Sequence, residues 1–280
     1  MDNENSIENP AGGSGPKWPA LNGTAIKIIG IVLMTMDHIH QMFAAQGAPG
    51  WLNWFGRPVA VMFLFLCAEG FYYTRSRKRY LLLLLAGFFF MSVMNRLFSL
   101  YMFIEDINLI NNIFGTLFLS AFYMGTIDLF RAGVREKRGS KILLAAGGFL
   151  LPLITGLALI LALSGGNLSA VMILVFIPNL VSVEGGFALV MMGALFYLLR
   201  KYRLAQMGVV LLVSAFSWYI TRNSPDRDFQ WLMAAAVIPL FLYNGKRGGV
   251  LNPLANKYFF YIFYPAHIYL FYVIAWFLNR

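Results

Sequence analysis

The sequence predicts an all-α, polytopic transmembrane helix bundle of about 9-10 spans, and three observations carry that expectation. Of the 280 residues, 59% are hydrophobic and 12% charged, a balance that suits a chain whose solvent is lipid and leaves too little polar cover for a water-soluble core. Long apolar runs recur, among them Ile28–Met36, Leu81–Met91, Ile142–Leu163 and Tyr258–Leu278. Several approach the ~20 residues a helix needs to cross ~30 Å of hydrocarbon, and the alternating ~10-residue segments of an outer-membrane barrel are absent. The net charge of +10 sits in short clusters between apolar runs. That pattern reads as cytoplasmic loops and argues against a nucleic-acid partner.

In chain order, residues 1–20 are rich in Asn, Gly, Ser and Pro, with no apolar period and no cleavage pattern. They are expected to be a disordered cytoplasmic tail, leaving residues 21–280 as a single transmembrane domain. The first span runs from Gly23 through Ala44, too long and too rich in ionisable groups for a signal peptide. Further spans are expected at 57–74, 79–98, 110–130, 141–163, 185–199, 204–221, 229–243 and 258–278. The basic clusters Arg75–Arg79, Arg131–Arg138, Arg200–Arg203 and Lys246-Arg247 all face the cytoplasm if the amino terminus is inside and 168–183 does not cross. That arrangement has nine spans, with the carboxyl terminus outside. If 168–183 does cross, the last two clusters are thrown outward, against the positive-inside rule. A broken or re-entrant segment near 168–185 is therefore expected, since Phe176–Gly186 carries Pro178, Gly185 and Gly186, with ten spans as the alternative. The single cysteine, Cys67, reads as packing.

Ionisable side chains inside spans cost about 2.5–3.5 kcal/mol each on insertion scales, so each needs a reason to be there. Asp37-His38, with His40 and Gln41, lies deep in the first span, and Lys27, Met34 and His38 share a helix face. Asp37 either orients and charges an imidazole, as a base poised near neutral pH requires, or pairs with His38 merely to hold helices together. Arg57, at the outer start of the second span, neutralises Asp37, binds an anionic acceptor or snorkels to headgroups. Glu69 lies near the cytoplasmic end of that span, where it is either functional or an ion partner. Asn95, Arg96, Asn108, Asn111 and Asn112 line an outer vestibule or cap helix ends. Glu184, before two glycines, faces a cavity or simply precedes a helix start. Asn244, Lys246 and Arg247 lie in a glycine-bracketed turn that can hold phosphates or be an ordinary positive-inside loop. His267 sits in the last span behind Pro265, and all three histidines are intramembrane. No metal-ligand spacing is visible, so no metal is expected.

Several of these blocks together resemble the TraX family: Leu-Asn-Gly-Thr-Ala-Ile-Lys-Ile-Ile-Gly followed by Met-Asp-His38; Gly-Arg57-Pro with Glu69-Gly-Phe; Arg-Lys-Arg-Tyr-Leu; Glu184-Gly-Gly-Phe; Tyr-Asn244-Gly-Lys-Arg-Gly; and Tyr-Pro-Ala-His267. The resemblance covers nearly the whole chain after residue 21. It implies a bacterial inner-membrane acyltransferase of the kind that N-acetylates the amino-terminal residue of F-type pilin, with acetyl-CoA as donor. A more distant likeness is to polytopic acyltransferases that acetylate surface sugars and depend on a first-span histidine. Asp37, His38, Arg57, Glu69, Glu184, Asn244, Lys246, Arg247 and His267 fall in the matching blocks, and Asn112 in a looser one.

On that basis Lys246 and Arg247, with Asn244, are expected to hold the phosphates of CoA. His38 or His267 would deprotonate the acceptor or take the acyl group, with Asp37 tuning its neighbour. Arg57, Glu184, Glu69 and Asn112 remain as substrate or oxyanion candidates. The acceptor is a peptide amino terminus, another amine or a sugar hydroxyl. A transporter or proton-coupled carrier is the rival reading, because broken helices and buried charges also build substrate pathways. It predicts an internal repeat, and none is visible in the sequence.

Overall fold

In a computed structural model that describes residues 20–223, 229–249 and 253–279, side-chain caps mark where several helices begin. Asn22 accepts from the Ala25 N–H at 2.9 Å and opens α1, Gly23–Phe43. Ser76 does the same for α3, Arg77–Tyr101, and Asn167 for α6, Leu168–Leu174. A 3-10 turn over Gly50–Gly56 leads into α2, Arg57–Tyr73, whose first turn carries Pro58, where a missing N–H costs nothing. The remaining helices are α4 (Ile113–Arg135), α5 (Gly139–Ser164), α7 (Gly186–Leu198), α8 (Arg203–Thr221), α9 (Val237–Phe241) and α10 (Pro253–Leu278). The tail expected over residues 1–20 lies, apart from Ala20, outside the described residues.

Among the described residues, six helical segments are long and apolar enough to cross a membrane: Gly50–Tyr73, Arg77–Tyr101, Ile113–Arg135, Gly139–Ser164, Arg203–Thr221 and Tyr258–Leu278. Together with α1 and the shorter apolar segments Gly186–Leu198 and Gln230–Phe241 they make a multi-pass, all-α bundle of the kind the sequence predicts. Leu143, Leu144, Ile154, Leu157 and Leu161 of α5 are exposed. On a chain in lipid this surface meets hydrocarbon and needs no protein partner.

The basic clusters meet at one end of the bundle. Arg77 bridges to Asp128 at 2.6 Å, Tyr197 donates to the same carboxylate at 2.6 Å, and Arg200 lies over the Tyr72 ring. Arg203 donates to the Leu240 and Tyr243 carbonyls at 3.1 and 2.6 Å. The ends of α2, α4, α7 and α9 and the starts of α3 and α8 therefore share one face, and each helix between them runs to the other.

The segment 168–185 is broken, as expected. Helix α6 has 7 residues, a rise of only ~10 Å, which cannot cross. The chain then folds back against α5, where the Leu180 N–H approaches the Pro152 carbonyl at 3.5 Å. Buried Asn179 closes this turn on itself, accepting from the Val181 and Ser182 N–H groups at 3.0 Å each. Gly185 and Gly186, at φ 70° and 52°, then turn the chain into α7. That helix runs parallel to α4, through Thr116 to the Glu184 carbonyl at 2.6 Å and Ser120 to the Val190 carbonyl at 3.3 Å. Residues 168–185 thus form the broken segment, and α7 follows it as a separate helix. A Cβ on Gly185 would lie 2.1 Å from the Leu189 side chain. Gly185→Ala is therefore expected to destabilise the protein by about 1–3 kcal/mol through left-handed strain and overlap, read as a lower unfolding midpoint in detergent.

One expected span is not a regular helix. The stretch 229–243 contains a 3-10 helix of 7 residues followed by an α-helix of 5. The tighter winding rises ~2.0 Å per residue, so a short stretch reaches further across the bundle than an α-helix of equal length.

Candidate functional site within the bundle

At the basic end, the Asn-Gly-Lys-Arg-Gly turn packs on the start of α1 through main-chain bonds. The Gly23 N–H donates to the Lys246 carbonyl at 2.9 Å and the Thr24 N–H to the Arg247 carbonyl at 3.0 Å, with the Thr24 hydroxyl on the latter at 3.1 Å. These carbonyls satisfy donors that every helix start leaves free. Asn244 has its side-chain oxygen on the Lys246 N–H at 2.9 Å, which shapes the turn. The Lys246 and Arg247 side chains are exposed and Lys27 lies near Arg247, giving a small basic patch. Glu69 belongs to this end too, hydrogen-bonded to Tyr243 and facing Arg203 and Arg200. It is therefore an ion partner at the basic end, and not the substrate or oxyanion residue expected of it: a helix carries it a dozen residues away from Arg57.

Toward the opposite end, α1 and α10 bring His38 and His267 together. Their Nδ1 and Nε2 atoms are 2.7 Å apart, with ring planes within 20°. Both residues are buried, at 5% and 6% exposure. His267 Nδ1 lies 2.8 Å from the Phe263 carbonyl one turn back, and Asn111 Nδ2 lies 3.3 Å from His38 Nε2. Asn111 and Gln41 exchange two amide bonds at 2.9 and 3.0 Å.

Beside the pair is a cavity of about 40 Å³ lined by Met34, Asp37, His38, Gly56, Val59, Phe63, Ile113, Glu184 and Tyr264, enough for a water or a small polar group. The Asp37 carboxylate lies against Gly56, where a Cβ would meet its atoms at 2.3–2.7 Å. Only glycine there leaves room for the acid. Asp37 does not orient His38 as expected, because the two ring nitrogens face His267 and Asn111 and adjacent helix residues point to different faces. Arg57 is held by Gln230 at 3.0 Å and Asn53 at 2.5 Å, and its charge acts on both Asp37 and Glu184.

Glu184 Oε2 accepts the Asn112 N–H at 3.3 Å, tying the start of α4 to the start of α7. The Asn112 side chain turns away to the Phe88 carbonyl and Ser92 hydroxyl, each at 3.1 Å. Asn112 is thus a structural clamp, and its neighbour Asn111 is the amide at the histidines. Sequence reasoning grouped Asn111 among vestibule residues without singling it out. Its only signal was a polar residue just outside a span, which helix ends carry routinely.

Fold and site together define a class: a polytopic, all-α membrane protein whose interior holds a hydrogen-bonded histidine pair beside a cavity flanked by two carboxylates. Residues 22–275 match the family described as TraX protein. The chain belongs to the TraX family. It is also 27% identical over 261 residues, 87% of this chain and 91% of the relative, to the "Probable fimbrial assembly protein FimC, serogroup H1" of Dichelobacter nodosus. No solved structure matches the chain.

Proposed function

We propose that this protein is an integral membrane acyltransferase that moves an acetyl group from acetyl-CoA to an amine or hydroxyl acceptor at the membrane. The observation that carries the reading is the His38–His267 pair, two titratable rings 2.7 Å apart inside a lipid-facing bundle, where such groups are costly unless used. One imidazole takes the proton of the acceptor as its nitrogen or oxygen attacks the thioester carbonyl. The C–S bond breaks and CoA leaves, recovering the proton as a thiol. The relative named for fimbrial assembly favours a pilin-like peptide amino terminus as acceptor.

The basic end is cytoplasmic in this reading, with the amino terminus inside a bacterial inner membrane. Donor phosphates dock on the Lys246 and Arg247 side chains, whose backbones are engaged on α1. From Thr24 to His38 is roughly 21 Å of helix, a distance that suits a donor with a long arm. Between these two ends Phe63 packs against Gly30, its ring centre 4.3 Å from that of Phe260.

The test is release of free CoA from acetyl-CoA by purified protein in nanodiscs, with thermal stabilisation by CoA measured in parallel. Lys246→Gln with Arg247→Gln is expected to raise the KM for acetyl-CoA about 10–100-fold, the loss of one or two charge-assisted phosphate bonds, with kcat and the unfolding midpoint little changed. If CoA neither stabilises the protein nor is released with peptide, amine or sugar acceptors, the carrier reading takes over and substrate flux into vesicles becomes the assay.

A further inference from the structure

Hydrogen-bond direction along the interior chain is fixed by its one member that cannot donate. The Phe263 carbonyl accepts only, so His267 Nδ1, 2.8 Å away, carries the hydrogen. With the ring neutral, His267 Nε2 is bare and must accept from His38 Nδ1 at 2.7 Å. His38 Nε2 is then bare in turn and accepts from Asn111 Nδ2 at 3.3 Å. The Asn111 amide is oriented to supply that hydrogen through Gln41: Gln41 Nε2 faces the accept-only Asn108 carbonyl at 3.5 Å and gives its other hydrogen to the Asn111 oxygen at 2.9 Å, while Asn111 Nδ2 donates to Gln41 Oε1 at 3.0 Å. The Asn111 backbone is anchored as well, its carbonyl accepting from Asn95 at 3.1 Å and Asn95 accepting from the Tyr269 hydroxyl at 2.9 Å. Every donor and acceptor in the chain points one way.

We propose that the Asn111–Gln41 amide pair is a positioning device that locks His38 in its Nδ1–H form, making His38 Nε2 the proton-accepting atom and His267 its relay. The assignment rests on the acyltransferase reading and divides the labour within the pair. Asn111 holds the place where the hydrogen of the acceptor has to arrive. As the acceptor forms its bond to the acetyl carbon and the C–S bond breaks, its proton goes to His38 Nε2 and the Nδ1 proton passes to His267 Nε2. His267 keeps its Nδ1–H on the Phe263 carbonyl and bears the charge. Reversal of the relay returns the proton to the CoA sulfur. An orienting third group behind a base is the general logic of assisted nucleophiles, filled here by an imidazole in place of a carboxylate.

The experiment is side-chain nitrogen NMR of protein labelled with nitrogen-15 histidine in nanodiscs, with Asn111→Asp as the variant. In the wild type, His38 and His267 are both expected to show a protonated Nδ1 and a bare Nε2. The variant, an isostere whose carboxylate cannot donate, is expected to place a proton on His38 Nε2 and to lower kcat about 10²-fold with the KM for acetyl-CoA unchanged. A wild-type His38 protonated at Nε2 alone, or an Asn111→Asp protein with unchanged His38 signals, would overturn the proposal. The NMR arm needs no turnover. If the expected signals appear in a protein that transfers no acetyl group, the lock stands and the acyltransferase reading falls.

Discussion

His38→Ala and His267→Ala are each expected to slow acetyl transfer by about 10²–10⁴-fold, and the double variant to be no slower than the worse single variant. Non-additivity is the informative part. The rings form one hydrogen-bonded unit at 2.7 Å, and losing either member breaks the same proton path. Independent contributions would multiply. Truncation also has a structural cost: His267→Ala leaves the His38 Nδ1–H without its acceptor and opens a gap beside Phe263, whose ring lies 4.8 Å from the imidazole. A buried unsatisfied donor costs about 1–3 kcal/mol, so unfolding midpoints are measured alongside the rates. His267→Gln, which retains polar atoms near the same place, is expected to recover much of the stability and little of the rate.

The second large effect separates two roles of Glu184. Its carboxylate accepts the Asn112 N–H at the start of α4, its own carbonyl accepts the Thr116 hydroxyl at 2.6 Å, and its side chain lines the cavity with Asp37. Glu184→Ala leaves the Asn112 N–H unsatisfied while the Thr116 bond to the main-chain carbonyl stays, an expected loss of about 1–3 kcal/mol. Glu184→Gln keeps an acceptor oxygen but removes the charge. Its unfolding midpoint is expected to stay close to the wild type, so a fall in transfer rate in this variant reports the charge in the cavity alone. Circular dichroism melts and CoA release, measured on the same preparations, separate the two effects.

Polar groups in an apolar segment are visible without any structure, and that is why Asp37-His38 and His267 stood out. The break at 168–185 was partly visible: Pro178 and the Gly185-Gly186 pair weaken a helix without forbidding it, as Gly147-Gly148 and Pro152 inside the unbroken α5 show, and it was charge placement that disfavoured an extra crossing. That the two histidines meet was not visible. Contact between residues from opposite ends of a chain depends on which helix faces pack, and one sequence carries no record of that. Helical rise alone placed Glu69 at the cytoplasmic end of its span, but which of its two readings held depended on Arg203, Arg200 and Tyr243, which other segments bring to it. The capping of α1 by the Lys246 and Arg247 carbonyls was hidden because any side chain leaves the same main-chain oxygen. Asn111 was overlooked in favour of Asn112 because neighbouring asparagines at a helix start look alike until one turns to the histidines and the other to α3.

The most direct measurement of the central claim is transfer of an isotope-labelled acetyl group from acetyl-CoA by the protein in nanodiscs, followed by mass spectrometry of an offered pilin-like amino-terminal peptide and of sugar and simple amine acceptors. The account predicts labelled acetyl on at least one acceptor with wild type, and none above background with the His38→Ala, His267→Ala double variant in a preparation that remains folded. Equal labelling by wild type and the double variant, or none by the wild type with any acceptor while CoA fails to bind, would contradict it.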